Sequence, residues 1–197
     1  LIEDIEIIRN KLGIKKWILV GGSWGSTLAL VYAQKYPKIV SGIVVRALFL
    51  GTEKEIDWAF RKAAQIFKPE LYYKLLSLMP NNKIENPIYY LGKRLEDKDP
   101  NIFIPAAKAW GAYESSLSTI NINTIELPDT LNNYIAKKNE TYPNTPFMEW
   151  HYIKNNFFLE KNQIKNNIKI INDIPGIILQ SSYDLLCPPN TSFLLSK

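Results

Sequence analysis

Ser23 stands in Gly21-Gly22-Ser23-Trp24-Gly25, a G-x-S-x-G pattern set between a strand-forming run, Trp17-Ile18-Leu19-Val20, and a helical segment. A serine hydroxyl is a weak nucleophile until it is presented to a substrate and relieved of its proton. The pattern supplies the presentation. A turn this sharp tolerates only small neighbours, so glycines at 21 and 25 are expected to let strand and helix pack closely. The serine then projects above the sheet, and the N–H of Trp24 points toward a developing oxyanion. The start of the helix adds a field that favours negative charge. The same five residues also suit a serine that only caps a helix.

Proton removal needs further groups. Asp184 lies a few residues beyond a second strand-like run, Gly176-Ile177-Ile178-Leu179-Gln180, where it can orient a base or simply close a turn. The one histidine, His151, sits in Glu149-Trp150-His151-Tyr152 and precedes Asp184. Only 13 residues follow Asp184, and none of them is histidine.

The elements that must position these groups are legible from periodicity. Leu1, Ile5, Ile8 and Leu12 predict a helix with that face buried and Glu3, Asp4, Arg9 and Lys11 outward, stopped by Gly13. Trp17–Val20 and Ile39–Val45 are wholly apolar runs, which suit parallel strands buried on both faces. Thr27–Tyr36 between them predicts a helix. This alternation predicts an α/β fold, a parallel sheet flanked by helices. From about residue 50 to 169 the chain turns aromatic-rich and helical, with helices predicted at Ile56–Ile66, Glu70–Leu78 and Pro105–Leu117. The strand signal returns at Gly176. The expected organisation is a core segment at 1–49 carrying the nucleophile turn, a helical insertion at 50–169, and a core segment at 170–197 carrying the acid loop.

Composition narrows the function classes. The net charge is +5, but the lysines are scattered singly or in pairs such as Lys15-Lys16, with no basic block, so nucleic-acid binding is not expected. A single cysteine, Cys187, rules out an internal disulfide, and its place beside Asp184 leaves a buried hydrophobe or a reactive thiol open. No basic segment followed by an apolar stretch opens the chain, and no uncharged apolar run is long enough to span a bilayer. A cytoplasmic protein without a membrane partner, cofactor or metal is the expectation.

The ten residues Gly21-Gly22-Ser23-Trp24-Gly25-Ser26-Thr27-Leu28-Ala29-Leu30 closely resemble the nucleophile signature of the proline iminopeptidases, a family of serine α/β-hydrolases. Similarity extends through Val45-Arg46-Ala47-Leu48-Phe49-Leu50, Ala106-Ala107-Lys108-Ala109-Trp110 with Tyr113-Glu114, Glu149-Trp150-His151-Tyr152, and Tyr183-Asp184-Leu185-Leu186-Cys187-Pro188. The resemblance implies an α/β-hydrolase core with an inserted, mostly helical cap, and release of N-terminal proline from short peptides through an acyl-enzyme. It implies Ser23 as nucleophile, Asp184 as the acid that orients the base, and Trp24 as an oxyanion donor. Glu114 and Glu149 would hold the substrate's free α-amino group, Phe49 would wall the proline pocket, and Arg46 would lie at its edge.

The resemblance also implies parts outside the chain. The family's His-Gly-Gly-Pro-Gly oxyanion loop would precede Leu1 and its catalytic histidine would follow Lys197. A segment truncated at both ends is therefore expected to be inactive and unstable by itself. In the family's chain order the base follows the acid, which argues against His151. Ala59-Phe60 and Trp150 depart from the family pattern, leaving the pocket lining open. Two other readings fit the core motif: a capped serine hydrolase for esters or other amides, and a non-catalytic homologue.

Overall fold

The computed structural model describes residues 1–80, 85–119 and 126–197. The chain divides into two compact units, Leu1–Glu55 with Leu159–Lys197, and Ile56–Phe158. The second unit is shorter than the insertion drawn from sequence at 50–169. Leu159, Ile164, Ile168 and Ile171 pack in the core of the first unit instead.

The first unit is built on three parallel strands, β1 (Trp17–Ser23), β2 (Val40–Leu48) and β3 (Gly176–Leu179), with β2 central. Helix α1 (Ile2–Lys11) precedes β1, and α2 (Trp24–Lys35) joins β1 to β2. Ala29, Leu30, Tyr32 and Ala33 of α2 are buried in one core with Val40, Ile43, Val45 and Leu48 of β2, and Ile164 and Ile171 close it. Because the strands run parallel, Ser23, the Phe49 segment and the loop after Leu179 all emerge at one carboxyl edge. That edge is where open α/β sheets bind ligands.

Two expectations of burial are corrected. The strands are covered on one face only: Ile18 and Val20 of β1 and Ile177 and Leu179 of β3 are all more than half exposed. Apolar content sets the strand, but a second packing layer is needed to bury both faces, and none of the described residues supplies one there. Helix α1 is also rotated relative to its apolar stripe. Ile2 and Ile5 meet the core, whereas Leu1, Ile8 and Leu12 are exposed. Polar contacts set this rotation. The Tyr32 hydroxyl donates to Glu6 at 2.7 Å and the Tyr36 hydroxyl to Glu3 at 2.8 Å, while Lys35 pairs with Glu3. The Arg9 guanidinium beside Glu6, with Tyr32, holds that carboxyl down to about 2.

The second unit contains the helical run of Trp58–Lys62 and α4 (Ala63–Phe67), which continues α3 (Glu53–Asp57), and then α5 (Pro69–Ser77). Helices α6 (Pro87–Leu95), α7 (Pro100–Ser118) and α8 (Thr145–Lys154) complete its main elements. Helix α7 starts where the Asp99 carboxylate accepts from the Asn101 N–H at 2.9 Å, with Pro100 in the first turn. Its buried face, Ile104, Ala107, Trp110, Tyr113 and Leu117 among others, forms the axis of the unit. Helices α6 and α8 close on one another through Trp150, 4% exposed, whose ring occupies the space above Gly92. The Trp150 indole donates to Glu96 at 3.0 Å, and Lys93 and Lys154 pair with the same carboxylate at 3.0 and 2.8 Å.

A Cβ at residue 92 would collide with the Trp150 indole. Gly92→Ala is expected to cost about 1–3 kcal/mol by overpacking, measured by chemical denaturation, with most of the loss recovered when Trp150 is also replaced by leucine.

Candidate active site

Ser23 is the last residue of β1 and the cap of α2, and its backbone is left-handed, at φ 53° and ψ −123°. Non-glycine residues avoid that region, and the cost is of order 1–3 kcal/mol. The strain presents the residue at the apex of the turn, where it is exposed. Gly21 makes the turn possible, because a Cβ there would run into the carbonyl of Gly25. Gly25 itself has open space where a Cβ would go, which corrects the expectation that both flanking glycines are needed for close packing. Gly22 lies under the Arg46 side chain, which would contact a Cβ at 2.8 Å.

The two residues after the turn lock it. The Ser26 hydroxyl donates to the Ser23 carbonyl at 2.6 Å and accepts from the Phe49 N–H at 3.1 Å. The Thr27 hydroxyl donates to the Phe49 carbonyl at 2.6 Å. Both side chains are essentially inaccessible to solvent. Register adds a further device. Gly22 pairs with Arg46 and Ser23 with Leu48, so Ala47 is an extra residue, and it too is left-handed at φ 45°. Phe49 and Arg46 are thus held beside the serine turn, Phe49 half-buried and Arg46 exposed.

Glu55 is a residue that the sequence reading missed. Its carboxylate accepts from the Leu50 N–H at 3.0 Å and from the Thr52 N–H and hydroxyl at 3.0 and 2.7 Å, while the Thr52 hydroxyl accepts from the Glu55 N–H at 3.3 Å. Burial nonetheless pushes its carboxyl up. Thr52-Glu53-Lys54-Glu55 is a capping box, a signal readable in the sequence. It anchors the segment that follows Phe49.

Asp184 follows β3 in a tight turn, where one carboxylate oxygen accepts from the N–H groups of Leu186 at 3.0 Å and Cys187 at 2.9 Å. Gln180 ties the loop together, donating to the Cys187 carbonyl at 2.9 Å and accepting from the Ser192 hydroxyl at 2.5 Å. Ser23 and Asp184 therefore share the carboxyl edge, on the outer strands either side of β2. Cys187 is buried. His151 is exposed, with Tyr152 and Phe158 as ring neighbours at 5.5 Å each.

Within the second unit, Glu114 of α7 and Glu149 of α8 come together across 35 positions of sequence, and their carboxyls are hydrogen-bonded to each other. The Trp110 indole, one turn before Glu114, donates to Glu149 at 2.6 Å. Burial raises both carboxyls, and the facing Glu149 raises Glu114 further. The unit's aromatic core supports this pair. Phe60 meets Trp110 edge-on at 5.3 Å and stacks with Tyr113 at 6.3 Å, and the Tyr113 hydroxyl donates to the Phe60 carbonyl. Phe60 lies in the wide π-helical turn at Trp58–Lys62, a local insertion that shifts the register of the side chains after it.

The alpha/beta hydrolase fold family matches residues 1–73. The chain is 34% identical over 198 residues to a "Probable proline iminopeptidase" of Leptolyngbya boryana, covering all of this chain and 60% of that protein. It is 36% identical over 200 residues to the "Proline iminopeptidase" of Neisseria meningitidis, again all of this chain and 61% of the relative. A "Putative proline iminopeptidase" of Mycoplasma genitalium is 36% identical over 191 residues, 95% of this chain and 59% of the relative. The first unit therefore has a partial α/β-hydrolase core. The chain's likeness to proline iminopeptidases runs from end to end, and it spans about three fifths of the length of these curated relatives. The parallel sheet with α2 behind the serine turn is the corresponding architecture. No helix among the described residues is long and apolar enough to cross a membrane.

Two outcomes follow from the geometry. Gly21→Ala is expected to destabilise the first unit by several kcal/mol or prevent its folding, while Gly25→Ala costs at most about 1 kcal/mol; paired thermal melts separate them. Glu114 has a folded pKa above its unfolded value, so its contribution to stability is present at acid pH and is lost as pH rises through the folded pKa. Glu114→Gln, which keeps a donor to Glu149 and cannot ionise, should therefore raise stability by on the order of 1–3 kcal/mol at alkaline pH and little near pH 5. Melting profiles across pH check this, and a constant offset at every pH would refute the ionisation account.

Proposed function

We propose that this chain carries the nucleophile and the substrate-recognition groups of a serine aminopeptidase that releases proline from the N-terminus of short peptides. The single observation that carries the reading is the exposed, left-handed Ser23 at the sheet's carboxyl edge, in a chain similar throughout its length to proteins named proline iminopeptidase.

In this reading Ser23 Oγ attacks the carbonyl of the N-terminal proline. The N–H of Trp24, at the start of α2, donates to the oxyanion as charge develops, where the helix field favours it. Asp184 orients the base that takes the serine proton and returns it to the leaving amine. His151 is not assigned that part, because it precedes Asp184 and the family order is serine, acid, histidine. The acyl-enzyme on Ser23 is then hydrolysed by water and frees proline. The second unit supplies groups that recognise the substrate. Glu114 and Glu149 take the substrate's charged amino group by charge-assisted hydrogen bonds, which an internal peptide bond cannot satisfy. Phe49 offers a flat apolar wall to the pyrrolidine ring, with Arg46 at its edge. The substrates are peptides, with no role for nucleic acid or a membrane, and the chemistry needs neither cofactor nor metal.

The complete natural protein is expected to hydrolyse a proline arylamide. Ser23→Ala should lower kcat/KM by at least about 10³-fold, and acylating the substrate's amine should abolish turnover. Hydrolysis of simple esters or amides that ignores a free amino group would identify a different serine hydrolase, and no Ser23-dependent hydrolysis would identify a non-catalytic homologue.

A further inference from the structure

We propose that Glu114 and Glu149 act as a one-proton receptor in which the Trp110 indole fixes Glu149 as the ionised partner, so that binding a cationic secondary amine expels the proton held on Glu114. The proposal rests on the amine-binding role given to the pair above. It adds a proton step and a positioning residue, Trp110.

An indole N–H can only donate. At 2.6 Å from Glu149 it demands an acceptor there and favours the carboxylate. Glu114 is hydrogen-bonded to that same carboxylate, and two carboxyl groups share such a bond only if one of them keeps a proton. With Glu149 held ionised by Trp110, the proton belongs to Glu114. The indole cannot swing away. Trp110 is fully buried, with Phe60 against its ring at 5.3 Å.

No cation among the described residues relieves the pair, although helices α5, α6 and α8 pack on α7. Lys93 and Lys154 are engaged by Glu96, Lys108 by Glu140, and Arg61 and Lys62 by Asp57. Lys68 donates to the Ser116 and Thr119 carbonyls and Arg94 to the Leu131 carbonyl. Glu70, Lys74 and His151 are exposed. The compensating charge is therefore supplied by the ligand. A secondary ammonium has two N–H donors, one for each carboxylate. When it enters, the Glu114 O–H bond breaks, its electron pair stays on the carboxylate oxygen, and the proton leaves to solvent. The result is two carboxylates around one ammonium, with one proton released per amine bound.

The test uses the complete natural protein carrying Ser23→Ala, with L-prolinamide as probe at pH 7. Calorimetry in two buffers of different ionisation heat should show close to one proton released per prolinamide. Infrared difference spectra should show the C=O band of a protonated carboxyl lost on binding, and the band should be missing in Glu114→Gln. In the protein that retains Ser23, Trp110→Phe removes the donor that favours ionised Glu149. The acid limb of kcat/KM should then move up by about one pH unit, a shift that loss of packing alone would not cause. Prolinamide binding without proton release, a surviving carboxyl band, or an unmoved acid limb in Trp110→Phe would overturn this proposal while leaving the aminopeptidase reading intact. A protein that shows the carboxyl band but does not bind prolinamide would instead defeat the amine-binding reading on which the proposal rests.

Discussion

The left-handed backbone of Ser23 is the constraint around which the first unit is organised. A non-glycine residue holds that conformation only where its surroundings over-determine it. Here the clamp is continuous. Gly21 lets the chain double back against Gly25, Ser26 bridges Ser23 to the Phe49 N–H, and Thr27 holds the Phe49 carbonyl. Glu55 then secures the residues beyond Phe49 through Leu50 and Thr52. Strain at the serine is thus offset by buried hydrogen bonds that reach more than 20 positions along the chain. A second left-handed residue, Ala47, inserts the bulge that aligns β2 with the turn. These contacts all serve one end of the sheet, the end where the strands deliver their following loops.

The second unit works by different physics. Its helices pack on a small-residue and aromatic face of α7, and that face brings two acidic side chains together away from bulk water. Burial and the facing carboxyl push Glu114 up, and burial pushes Glu149 up, because like charges at close range in a poorly solvated site repel. The Trp150–Gly92 contact and the Glu96 ion pairs hold α8 at the height where Glu149 meets α7. Trp150 is in this way a packing feature, accommodated by the absence of a side chain at residue 92.

Local chemistry made part of this protein legible in its sequence. The Gly-Gly-Ser-Trp-Gly turn, the apolar run before it and the helix after it made the strand–turn–helix around Ser23 legible, because glycine tolerance and hydrophobic periodicity are properties of short segments. The parallel α/β class followed from the alternation of those segments. The Thr52–Glu55 capping box was equally local and could have been read. Tertiary structure alone decided the rest. Which stripe of α1 faces inward was settled by Tyr32 and Tyr36 reaching Glu6 and Glu3, against the helix's own apolar pattern. Whether the strands are covered on both faces depended on a second layer that no strand encodes. The meeting of Glu114 with Glu149, and of Glu149 with the Trp110 indole, depended on how α7 and α8 pack. Periodicity fixes which residues share a face of one helix, whereas electrostatic state depends on what the opposing helix brings to that face.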